Sequence, residues 1–153
     1  AAFRGVPTPD IRRLSKSWWE RHEGDARTTE DQLETCLALL RCPMTEDKLA
    51  GMLLLGERLV PAGRVDCAQA VPRFAKLYPA GHLADWNAVD WFCVRVLGPL
   101  IETSGERCAR SIAAWVTREL SRARPDLAEA FLARHAADMS PEARKQVRGR
   151  RRR

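Results

Sequence analysis

The residues best suited to chemistry in this chain are a tryptophan and an aspartate four positions apart, Trp86 and Asp90. On a helix that spacing puts both on one face, one turn apart, so an indole plane and a carboxylate can address a single ligand. A fixed carboxylate stabilises developing positive charge, and an indole face attracts a cation by about 0.5 to 2 kcal/mol. The same two residues also read as ordinary helix components, Trp86 as a core anchor and Asp85 or Asp90 as a cap or ion-pair member. Spacing alone leaves both readings open. Trp91 lies about 100 degrees round the helix from Asp90 and is assigned to the core. Arg95, Arg12, Arg13 and Lys16 are unspecific candidates for phosphate contacts, and each reads more readily as a solvated surface charge.

Other chemistries have less support. His22, His82 and His135 are far apart and there is no CxxC pair, so the ligand spacings of a zinc site are missing and no metal is expected. Cys36, Cys42, Cys67, Cys93 and Cys108 are an odd, widely spaced set, expected to be reduced thiols acting as small hydrophobes. The longest apolar stretch, Leu49 to Leu55, is far short of the roughly 18 residues a membrane span needs. The first residues lack the features of a secretory signal, so a cytoplasmic, nucleoid-associated protein is expected. The formal charge of +6 suggests a polyanionic partner, but Arg144, Lys145, Arg148 and Arg150 to Arg153 carry seven positives with no acid after them. Without them residues 1 to 143 sum to −1. One domain over 1–143 and a basic, disordered tail over 144–153 are expected.

The elements that must position Trp86 and Asp90 are all helical. Pro7 to Asp10 opens the first helix, with Thr8 as the expected cap and Pro9 in its first turn, and Ile11, Leu14 and Trp18 form its apolar stripe. Thr29 and Gln32 have capping-box spacing before Leu33, Cys36, Leu37 and Leu40. Leu49, Met52, Leu53, Gly56, Leu59 and Val60 hold helical periodicity until Pro61 and Gly63. Further helices are expected over Val65 to Tyr78 around Pro72, over Trp86 to Leu97 after a turn at Pro79 to Gly81, and over 106 to 122 with Cys108, Ile112, Trp115 and Val116 on one face. Pro125 and Ser140-Pro141 each announce another. No strand signal competes, and periodicity stops at an all-α chain of antiparallel helices, bundled or stacked in pairs.

Two stretches carry a resemblance. Gly5-Val6-Pro7, Pro9, Arg12 and Leu14 resemble the G-V-P-x-P-x-x-R-x-L pattern of the DNA alkylation repair family, and Leu83 to Gly98 resembles its W-x-x-x-D segment, with Trp86 and Asp90 at the defining positions. The region from Cys42-Pro43 to Leu59, with Glu57-Arg58, and that from Val116 to Arg144 are similar to other parts of the family. The chain departs from the pattern by being shorter before the G-V-P motif and in the middle. Near Trp115-Val116 the family's W-x-R-R stretch is missing, and its roles are not transferred to Trp115.

The resemblance implies a HEAT-like repeat fold of antiparallel helical pairs, with Trp86 and Asp90 facing DNA. It implies a monofunctional glycosylase that hydrolyses the N-glycosidic bond of cationic N3- or N7-alkylated purines. Such a base leaves neutral, so no strong general acid is needed, and Asp90 would stabilise the charged sugar and orient water while Trp86 lies against the cation. A Schiff-base route is disfavoured, because Lys16, Lys48, Lys76 and Lys145 all fall outside the W-x-x-x-D segment. The expected partner is double-stranded DNA with alkylated bases, bound by a monomer without cofactor. The alternative is a catalytically inactive helical-repeat module that binds nucleic acid or serves as a protein scaffold.

Overall fold

A computed structural model of the protein describes residues 2–22, 24–139, 141 and 144. The helix expected from Ser140-Pro141 falls largely outside these residues, as does all of the expected tail except Arg144. The chain forms two compact units, 1–104 and 105–153. The first holds α1 (Thr8–Arg21), a 3-10 turn (Gly24–Ala26), α2 (Thr29–Arg41), α3 (Thr45–Leu54), α4 (Cys67–Leu77), α5 (Trp86–Phe92) and α6 (Gly98–Ser104). A π turn over Leu55–Leu59 extends α3, and another over Cys93–Leu97 joins α5 to α6. The second unit holds α7 (Glu106–Ala123) and α8 (Pro125–His135), which pack on each other. The all-α expectation holds. Among the described residues the β-type pairing is a single isolated bridge, Ala2 with Met44.

The core of the first unit is built around α3, which packs on α2, α1 and α5. Met52, Leu55 and Leu59 are buried with Leu37 and Leu40 of α2, and Phe74, Leu77, Leu83 and Phe92 are sealed as well. Each such side chain contributes about 1.5 to 3 kcal/mol. Phe74 meets Phe92 edge-on with ring centroids 5.1 Å apart, which ties α4 to α5. In α1 the core tryptophan is Trp19, 1% exposed, with its indole N–H donating to Asp25 at 2.9 Å. The expected stripe of Leu14 and Trp18 is displaced by one residue. Leu14 is exposed, and Trp18 stacks on His22. In α7 Val116, expected on the apolar face, is exposed.

Caps also shift. Pro7, not Thr8, stands at the N-cap of α1, and its carbonyl accepts from the amides of Asp10 and Ile11. Thr28, not Thr29, caps α2 by accepting from the Asp31 amide, which leaves Gln32 free to reach inward to the Gly24 carbonyl at 2.8 Å. Cys36, Cys42 and Cys93 are free thiols as expected. Cys67, in the first unit, is disulfide-bonded, which overturns the expectation of a reduced thiol there. Cys108, in the second unit, departs from it in the same way.

Glu46, in the first turn of α3, organises the start of the chain. Its Oε1 accepts from the amides of Arg4 at 2.6 Å, Gly5 at 2.8 Å and Val6 at 3.4 Å, while Arg4 grips Asp47 through both terminal nitrogens. Gly5 sits at φ +80°, a conformation that turns successive amides toward one anion and that other residues rarely adopt. The Gly5-Val6-Pro7 motif is therefore a backbone cradle for a carboxylate. Burial pushes the Glu46 carboxyl up, but the surrounding backbone N–H groups outweigh it and hold it below the usual carboxylate range.

The two π turns meet at close range. A Cβ on Gly56 would overlap the carbonyl oxygen of Arg95, so only glycine lets the backbones of α3 and the α5–α6 helix meet there. Gly56→Ala is expected to destabilise by about 1 to 3 kcal/mol, read as a lower urea midpoint. Gly98→Ala, whose Cβ would lie 3.5 Å from the Cys93 carbonyl oxygen, should be neutral or slightly stabilising. A depressed carboxyl stabilises above its unfolded pKa and loses that contribution as pH falls through its folded value. Glu46→Gln should therefore lower the urea midpoint near neutrality and flatten its fall below about pH 4.3, the unperturbed glutamate value. An acid limb identical to wild type would show that the cradle contributes nothing.

Candidate functional site

Helix α5 shows why its outward face is available. Ala88, Phe92 and Val96 recur every four residues and are buried. Two positions earlier on the same period stand Trp86, Asp90 and Val94, which project the other way. Trp86 is 82% exposed and Val94 62% exposed. Asp90 is exposed too. The ordinary roles open to these residues are taken by others. Asp85 is the N-cap, its carboxylate accepting from the Ala88 amide at 2.8 Å. Phe92 fills the core position, and Trp86 stands outside the core. Among the described residues, no hydrogen bond or ion pair engages the Asp90 carboxylate.

The neighbours of the pair refine its electrostatics. Cys93, one turn beyond Asp90, has its thiol pushed up by burial, lowered in part by a hydrogen bond with Tyr78, and raised again by the Asp90 charge. It therefore stays protonated near neutral pH and is a poor nucleophile. Trp91, expected in the core, is only half-buried. The Arg95 guanidinium lies over its ring, 5.1 Å from the centroid. The i, i+4 spacing of Trp91 and Arg95 was the signal for this contact.

The other candidate cations are committed to acids. Arg12 donates through Nε to both oxygens of Glu57, at 3.0 and 2.9 Å. Arg13 pairs with Asp10 at 3.0 Å and Lys16 with Glu20 at 4.0 Å. These ion pairs are exposed, so a polyanion can compete for them, but none is a vacant cationic site. Glu57 and Arg58, which sequence reasoning left without a role, brace α1 against the π turn of α3, Arg58 reaching Glu20 at 3.4 Å and Asp25 at 3.6 Å. Among the described residues no group of three histidine, cysteine or acidic side chains is placed to hold a metal ion. Among them, no helix is long and apolar enough to cross a membrane.

A family model described as DNA alkylation repair enzyme matches residues 1–117, which include the amide cradle, α1 to α6 and the Trp86–Asp90 face. No curated protein and no solved structure matches the chain.

If Trp86 and Asp90 have no structural duty, Asp90→Asn and Trp86→Ala should change the unfolding free energy by no more than about 0.5 kcal/mol. Asp85→Ala should lose about 1 kcal/mol with its cap. Urea titration of the three variants checks this, and a loss at Asp90 as large as at Asp85 would mean that its carboxylate supports the fold.

Proposed function

The chain belongs to the DNA alkylation repair enzyme family, and on that premise we propose that it is a monofunctional glycosylase for cationic N3- and N7-alkylated purines in double-stranded DNA. One observation carries the reading: an aromatic face and an unengaged carboxylate stand one helical turn apart on an exposed strip, while Asp85 and Phe92 do the structural work nearby. Trp86 lies against the positively charged base, a contact a neutral base makes less well. Asp90 faces the sugar, where its charge stabilises the cation that develops as the bond lengthens. The bond electrons move to the base nitrogen and neutralise it, so the leaving group needs no protonation. The oxygen of a water held by Asp90 then bonds to C1′, and its proton passes to the carboxylate or to solvent. No metal, cofactor or covalent enzyme intermediate enters. The protein works as a monomer on nucleoid DNA in the cytoplasm, with HEAT-like helical pairs supporting the DNA-facing strip.

Release of 7-methylguanine and 3-methyladenine from methylated duplex DNA tests the proposal. Wild type should release both, Asp90→Asn should be slower by about 100-fold or more, and Trp86→Ala should lose discrimination between charged and neutral bases. Release that is indifferent to Asp90 removes it from the mechanism. No release by wild type, with duplex binding retained, makes the chain a non-catalytic DNA-binding module.

A further inference from the structure

We infer that Arg95 is a preformed phosphate contact for the DNA strand presented to Trp86 and Asp90, and that Trp91 is the positioning residue that holds it ready; the inference rests on DNA being the ligand of that strip. Both ends of Arg95 are constrained. Its backbone carbonyl abuts Gly56 at the crossing of the two π turns, where no Cβ fits. Its guanidinium lies over the Trp91 ring, 5.1 Å from the centroid, while the residue as a whole is exposed. A guanidinium resting over an indole face keeps N–H groups open to solvent, and its planar fork can grip a phosphate with two parallel hydrogen bonds.

Charge separates Arg95 from the other candidates. Arg12, Arg13 and Lys16 each face a carboxylate, and a phosphate must displace that acid before it binds them. Arg95 has an aromatic ring in that place and, among the described residues, no ion pair. Its position also fits. The guanidinium is drawn back over Trp91, next in sequence to Asp90 and about 100 degrees round the helix from it, so a strand that crosses α5 obliquely with a sugar at Asp90 brings an adjoining phosphate to Arg95.

The test is binding of an unmodified duplex by the full chain as a function of salt, which needs no base release. Arg95→Gln should raise Kd about tenfold at low salt and reduce the steepness of its salt dependence by about one unit. Arg95→Lys should keep the slope but recover only part of the affinity, because an ammonium lacks the planar fork. Trp91→Leu should reproduce the weakened binding with Arg95 present, and Trp91→Phe should restore most of it, an outcome that packing alone does not produce. If Trp91→Leu fails to fold, Trp91→Phe and the two Arg95 variants decide. An Arg95→Gln protein with wild-type Kd and slope overturns the inference, and Asp90-dependent base release by that variant leaves the site reading standing. An Arg95 effect with both Trp91 variants at wild type overturns the positioning role. Failure of wild type to bind duplex DNA overturns the inference and the DNA reading together.

Discussion

The approach of two backbones at Gly56 is the constraint on which the candidate site depends. Helix α3 is the centre of the first unit, and its π turn meets the π turn of the α5–α6 helix where a Cβ would collide with the Arg95 carbonyl oxygen. A π turn puts one extra residue into a helical turn and shifts the faces on either side of it. Two of them meeting at a glycine set how deep α5 sits, and Ala88, Phe92 and Val96 then fill the interior beneath it. With that stripe buried, Trp86, Asp90 and Val94 have nowhere to go but outward.

Much of the chain's charge is used to hold helices together. Glu46 draws three amides of the first residues onto the start of α3, and the pairs Arg4–Asp47, Arg12–Glu57 and Glu20–Arg58 tie residues 4 to 20 to residues 47 to 58. The Gly5-Val6-Pro7 motif and Glu57-Arg58, both part of the family resemblance, thus have structural roles within the first unit. Against this network the Trp86–Asp90 strip is distinctive for what it leaves uncommitted. Among the described residues no ion pair engages the Asp90 carboxylate, and the Arg95 guanidinium is backed by an indole. A site for a charged ligand needs such groups, because a carboxylate already paired with an arginine has little field left to offer.

The places where sequence reasoning failed share a cause. Choosing Trp18 over Trp19, and Thr29 over Thr28, is a matter of one residue of helical phase, about 100 degrees. The phase of α1 is set by Trp19 packing over Gly24, where a Cβ would overlap the indole, and by the Asp25 carboxylate that receives its N–H. These contacts lie outside the helix, so its own apolar pattern cannot report them. The cradle around Glu46 was invisible for a similar reason, since its donors are backbone amides some forty residues away.

From the sequence alone came the helical class, the approximate extent of α1 to α5, and the placement of Trp86 and Asp90 on one face, because helical periodicity and proline or glycine stops are local properties. The motif spacing also carried the family, since a pattern of residue types survives without coordinates. Only the tertiary structure decided which way that face points and that Arg12 faces Glu57, whereas the Asp85 cap and the Trp91–Arg95, Asp10–Arg13 and Lys16–Glu20 contacts are local to their own helices. Exposure and long-range charge pairing depend on which elements come together, and for α5 that was settled at a glycine in one helix and a carbonyl in another.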